Sequence, residues 1–120
     1  MKLFIIHLFA AYIENFDHNV NIIGIDWGEL SSSSGIPHYF IAANNAIKVG
    51  QHTGKLFADM FLKNLGVNTQ LVHAIGHSLG AHAVGHFGRT IQTEGYDKII
   101  RMTGLRIIKT YFHDEMPFLK

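Results

Sequence analysis

The sequence predicts an α/β domain with a parallel βαβαβ core and helices on both faces. Three observations carry that expectation. Short β-branched segments read as nearly continuous apolar runs, which is the composition of strands covered on both sides. Between them lie two stretches whose apolar residues recur every three to four positions, as on one face of a helix. Strands and helices alternate along the chain, and right-handed crossovers then set the strands parallel.

In chain order, Lys2 precedes the apolar run Leu3 to Ile13. This has the charge-then-hydrophobic order of a secretory leader, and it reads equally as a buried strand from Leu3 to Ile6. The run is too short to span a bilayer, so no transmembrane segment is expected. Asn19-Val-Asn-Ile-Ile-Gly-Ile-Asp-Trp27 is the first core strand, and the serine-rich stretch Glu29 to Pro37 is a loop crossing the end of the sheet. From Tyr39 to Leu65 the positions Phe40, Ala43, Ile47, Gly50, Gly54, Phe57, Phe61 and Leu65 form the buried stripe of a long helix stopped by Gly66. Gly50 and Gly54 on that stripe let its backbone approach the sheet closely. Leu71 to Ile75 is the second strand, Leu79 to Arg89 the second helix, and Lys98 to Thr103 the third strand. The chain accordingly divides into 1–11 as leader or residual strand, 12–105 as the body of the domain, and 106–120 as a tail of different character.

Composition narrows the function. A chain of 120 residues with 48% hydrophobic content, 12 glycines and 2 prolines fits one globular domain. Ten Lys and Arg against nine Asp and Glu leave a net charge of +1, too small a field to steer the protein toward phosphates, so nucleic acid is excluded as an expected partner. Without cysteine there is neither a disulfide framework nor a thiolate metal site. No cofactor is expected.

The chemistry is concentrated in Gly76-His77-Ser78-Leu79-Gly80, a G-x-S-x-G sequence between an expected strand and an expected helix. That order lifts a nucleophilic serine above the end of a sheet. Gly76 and Gly80 are small because the turn is strained and neighbouring chain passes close to it. Ser78 lies at a helix N-terminus, where unpaired N–H groups and the positive end of the dipole favour developing negative charge. The Leu79 N–H is the natural oxyanion donor, and loss of one such donor costs a working hydrolase about 2.7–4 kcal/mol. The alternative is a serine that merely caps an ordinary helix.

A serine needs a histidine to take its proton and a carboxylate to orient that histidine. Neither partner is identifiable. Asp97 precedes the third strand and so falls at the wrong end of the sheet, about 25 Å from the correct rim at roughly 3.3 Å per residue. The rim position itself is Arg106, a cation. His113 and Asp114 stand on the tail with nothing to fix them.

From Tyr12 to Leu105 the sequence resembles the pancreatic lipase family of animal triacylglycerol lipases and phospholipases A1. The resemblance is carried by the Asn19–Trp27 segment, the Gly50-centred helix, the run Leu71-Val-His-Ala-Ile-Gly-His-Ser-Leu-Gly-Ala-His-Ala-Val-Gly-His-Phe-Gly-Arg89 and Ile99-Ile-Arg-Met-Thr-Gly-Leu105. It implies a partial α/β-hydrolase fold, Ser78 as nucleophile, a lipid ester or lipid–water interface as partner, and secretion. It also implies an Asp-Pro-Ala sequence directly after Thr103-Gly104-Leu105, where this chain has Arg106-Ile107-Ile108. The family's His-Gly-aromatic oxyanion loop is echoed only by His7-Leu8-Phe9. A truncated form of a longer lipase is the expectation that accounts for a family-like body ending in a tail of different character.

Other residues admit two readings. His82 and His86 share a helical face with His77 and His73 nearby, but no H-E-x-x-H carboxylate accompanies them, so packing is set against zinc ligation and no metal is assigned. Asp26 and Trp27 either touch substrate at the rim or hold the loop and pack against the sheet. Tyr111, Phe112 and Phe118 suit a lipid surface or an unrelated tail. Two functional classes therefore stand: an ester hydrolase, and a non-catalytic lipid- or partner-binding protein that keeps the hydrolase scaffold.

Overall fold

The computed structural model describes residues 2–15, 19–31 and 36–105. The tail expected at 106–120, with Arg106, Tyr111, Phe112, His113, Asp114 and Phe118, lies outside the described residues, as does much of the serine run. In chain order the elements are α1 (Lys2–Asn15), α2 (Gly28–Ser31), α3 (Ile36–Phe57), β1 (His73–His77), α4 (Leu79–Thr93) and β2 (Arg101–Leu105). A wide π-helical segment, Ala58–Lys63, extends α3, and a 3-10 turn, Thr69–Leu71, precedes β1.

The arrangement is a partial α/β one. Among the described residues the sheet has two parallel strands, β1 and β2, in the register His73 to Arg101 through His77 to Leu105. The expected βαβαβ core is thus reduced to β1–α4–β2. Residues 19–27, expected as the first strand, join no ladder, and Ile23 and Ile25 are half exposed. Apolar, β-branched composition states that a segment suits a sheet; only a hydrogen-bonded neighbour makes it a strand. The end of this segment turns instead: Asp26 Oδ1 accepts from the Gly28 N–H at 3.0 Å, and the Trp27 carbonyl accepts from Leu30 and Ser31.

The strand reading of Leu3 to Ile6 is also overturned, since these residues lie within α1. A short apolar run does not distinguish strand from helix by periodicity, and a run as long as Lys2–Asn15 with no ladder partner favours a helix, which satisfies its own backbone.

The long helix is present, but its buried stripe shifts at both ends. Ala43, Gly50 and Gly54 are buried as expected, whereas Phe40 and Leu65 are exposed and Ala42, Ala46, Ala58 and Leu62 are buried. A π-helical turn takes up an extra residue and rotates the chain beyond it, so Leu62 rather than Leu65 faces inward. Gly66, at φ +64°, ends the helix in a conformation that favours glycine.

α3 packs chiefly on α4, not on the sheet. A Cβ on Gly50 would lie 2.2 Å from the Ala83 carbonyl oxygen, and one on Gly54 would lie 2.7 Å from Thr90 Cβ. The expected close approach is real; its target is the neighbouring helix. Against the strands, α4 brings Gly88 onto the Met102 side chain. It closes with a paired C-terminal motif, Gly95 N–H to Gln92 O at 3.0 Å and Tyr96 N–H to Ile91 O at 3.2 Å, with Gly95 at φ +89°.

The core lies where α3, α4 and β2 meet: Ala58, Leu62, Ile91 and Ile99, flanked by Phe57, Val67, Val72, Phe87, Tyr96 and Met102. Phe57 stacks on Phe61 at 4.9 Å and meets Phe87 edge-on at 5.4 Å. On the face of β1 away from α4, Tyr12 of α1 hydrogen-bonds His73 Nδ1, and His73 Nε2 pairs with Thr103 Oγ1 at 2.8 Å.

Ile91 is 0% exposed, so Ile91→Ala is expected to cost about 2–5 kcal/mol in urea unfolding. Leu71→Ala, at a side chain 84% exposed, should stay within about 0.5 kcal/mol of the parent.

Candidate active site

Ser78 occupies the one-residue turn between β1 and α4, at φ 54° and ψ −123°. It is the one residue other than glycine with positive φ among those described, a conformation that costs on the order of 1–3 kcal/mol and persists where the surroundings over-determine it. Those surroundings are identifiable. The Ser78 N–H donates to the Leu105 carbonyl at 2.8 Å, extending the β1–β2 ladder by one bond, and the Ser78 carbonyl accepts from Ala81 at 3.0 Å as α4 begins.

The capping alternative does not describe this serine. Its side chain makes no capping hydrogen bond to α4, and its backbone is not the extended form that caps adopt. Ser78 and Leu79 are both half-buried. Leu79 is the first residue of α4, so its N–H belongs to the group at a helix N-terminus that no intrahelical carbonyl satisfies.

The two glycines of the motif have different roles. A Cβ on Gly76 would lie 2.2 Å from the Gly80 carbonyl oxygen and 2.4 Å from its carbonyl carbon, so β1 and the first turn of α4 touch backbone to backbone. Among the described residues a Cβ on Gly80 would meet nothing within 4 Å. The expectation that crowding requires both glycines is therefore corrected: Gly80 contributes the backbone that Gly76 must clear, and its own missing side chain leaves room unused.

Asp97 is exposed and precedes β2, at the end of the parallel sheet away from the elbow. His7, in the sequence that echoes an oxyanion loop, has no described side chain. His82 is buried in the first turn of α4 and His86 is half-buried one turn on. Burial lowers the His82 pKa below the ordinary imidazole value, and His86 acts in the same direction. Burial also lowers that of His73, with the Arg101 guanidinium adding to it. Among the described residues no three His, Asp or Glu side chains are grouped to hold a metal ion. Asp26 does hold its loop backbone, as one of its two readings expected. The Tyr12–His73–Thr103 chain has no signature in the sequence, because nothing local marks residues so far apart as partners.

A parallel β–turn–α–β unit with its tightest, most strained residue at the carboxyl end of the first strand is the arrangement of the α/β class that the sequence resembles. The chain belongs to the Lipase family, whose profile matches residues 3–118, and membership implies the α/β-hydrolase fold. Its relatives include human pancreatic lipase-related protein 3, 35% identical over 96 residues, which covers 80% of this chain and 18% of that protein. Mouse inactive pancreatic lipase-related protein 1 is 37% identical over 93 residues, covering 78% of this chain and 18% of the relative. Rabbit hepatic triacylglycerol lipase is 40% identical over 86 residues, covering 72% and 16%. The chain thus spans less than a fifth of the length of these relatives.

Gly76→Ala is expected to lower stability by roughly 1–3 kcal/mol through overpacking. Gly80→Ala should leave the thermal midpoint unchanged or raise it, since Ala is favoured over Gly in a helix by up to about 1 kcal/mol. Comparing the two melting curves tests the asymmetry. The lowered His73 and His82 pKa values also set a pH dependence. In the unfolded chain both titrate near about 6.5, so the folded state binds fewer protons below that pH. Stability is full above about pH 6.5 and falls as pH drops through the lower folded values. Urea midpoints should decline on acidification, and less steeply in His82→Gln.

Proposed function

We propose that Ser78 is the nucleophile of a lipase that hydrolyses carboxylic esters of lipids, triacylglycerol or phospholipid. The observation that carries this reading is the backbone of Ser78: a strained, non-glycine turn residue between a parallel strand and a helix N-terminus, with no capping role to account for it. Family membership supports the ester-hydrolase class, and the relatives' names supply the lipid.

In this reading the Ser78 oxygen attacks the ester carbonyl carbon while its proton passes to a base. The carbonyl electrons move onto oxygen, where the Leu79 N–H and the N-terminus of α4 stabilise the charge. The intermediate collapses by expelling the alcohol, which takes up the proton. Water then releases the acid from the acyl-serine. The base and its carboxylate are supplied by residues other than those described. Secretion accompanies this function, in keeping with relatives named for pancreas and liver. No described helix is long and apolar enough to cross a membrane.

A second reading has its own support. The mouse relative carries the word inactive in its name at 37% identity, so the scaffold is compatible with a non-catalytic lipid- or partner-binding role.

A fluorophosphonate probe separates the two. Covalent labelling of the folded wild-type chain, abolished in Ser78→Ala with an unaltered circular-dichroism spectrum, is the expected result. A folded wild type that takes up no label would sink the nucleophile assignment and leave the binding reading.

A further inference from the structure

We infer that Gly50 of α3 is a positioning residue for Ser78: it seats the start of α4 and so sets the elbow from the far side of that helix. The inference rests on the reading of Ser78 as nucleophile. A Cβ at Gly50 would lie 2.2 Å from the Ala83 carbonyl oxygen, 2.7 Å from His86 Cβ and 3.0 Å from the Phe87 nitrogen. Ala83 opens the second turn of α4, close behind Ser78. On another face of the same helix, Gly76 meets the Gly80 carbonyl and the Ala81 nitrogen. The early turns of α4 are therefore gripped from two elements, each time by a residue without a side chain whose nearest neighbour is a backbone carbonyl oxygen.

The two glycines of α3 differ in how far along α4 from Ser78 each one meets it. At Gly54 the nearest atoms are Thr90 Cβ at 2.7 Å, Thr90 Cγ2 at 3.0 Å and the Phe87 carbonyl oxygen at 3.1 Å, all further along α4 from the elbow than the Ala83 carbonyl. Strain there is taken up in the second half of the helix. At Gly50 the nearest atom is a carbonyl oxygen that no rotamer change can move. To restore ordinary contact at about 3.5 Å, α3 and α4 would have to separate by roughly 1 Å. With Gly80 already against Gly76, that displacement reaches Ser78 and Leu79. A misplacement of about 1 Å at reacting groups costs on the order of 10²-fold in rate.

The test compares rate constants for fluorophosphonate labelling of the full chain in wild type, Gly50→Ala and Gly54→Ala, at a temperature where circular dichroism shows each folded. Gly50→Ala should label on the order of 10²-fold more slowly, while Gly54→Ala, though also destabilised, labels close to the wild-type rate. A folded Gly50→Ala that labels like wild type overturns the inference. Native-state hydrogen exchange on the unaltered chain decides the matter if Gly50→Ala does not fold. The Ala81 amide, bonded to the Ser78 carbonyl at 3.0 Å, should lose protection together with the α3 amides around Gly50. Persistence of Ala81 protection after those have exchanged overturns it equally. Failure of wild type to label removes the nucleophile reading instead, and the exchange experiment still decides whether α3 seats α4.

Discussion

The contact between Gly76 and the carbonyl group of Gly80 is the constraint on which the rest of this structure depends. With one residue, Ser78, between the end of β1 and the start of α4, the chain has to reverse within that residue. The reversal brings the helix's first turn down onto the strand at a separation that even a methyl group would prevent. Positive φ at Ser78 is the geometric result. The strain is held by what lies on either side: a ladder bond from Ser78 to Leu105, and the burial of Ile91 and Ile99 as α4 settles against β2.

The part of the fold written locally is legible in the sequence. Strand, turn and helix around Ser78 are consecutive, and each has its own signature: β-branched residues before, glycines within, a three-to-four period after. β1, α4 and β2 all appear, although both strands begin later than composition suggests. The Asn68 side chain accepts from the Gln70 N–H at 2.9 Å and stabilises a 3-10 turn that takes up Leu71. Features that depend on a distant partner are not legible. Residues 19–27 have the composition of a strand but no ladder, and Leu3 to Ile6 form part of a helix. The glycines of α3 announce a close approach without naming its target. Gly80 differs from expectation because a motif shows which residues are small, not which of them is crowded. The acid and base stay unassigned for the same reason: spacing alone cannot bring a carboxylate and an imidazole to Ser78.

Two kinds of interaction flank β1. On the α4 side, glycine lets backbone meet backbone, giving stiffness without side-chain freedom. On the other side of β1, Tyr12, His73 and Thr103 form a polar chain between α1 and the sheet. Burial keeps His82, in the first turn of α4, toward the neutral form, so it adds no fixed positive charge near a helix N-terminus already positive by its dipole.

The Ser78–Leu105 hydrogen bond also has a bearing on the order of assembly. Its acceptor arrives only after all of α4 and the loop beyond it have been synthesised, so the strained turn cannot be held by its immediate neighbours alone. Until β2 docks, Ser78 is free to relax toward ordinary backbone angles, and closing that long loop is an entropic step that later contacts must offset. The geometry of Ser78 is thus a late product of folding: a nascent or partly unfolded chain contains the serine but not the elbow.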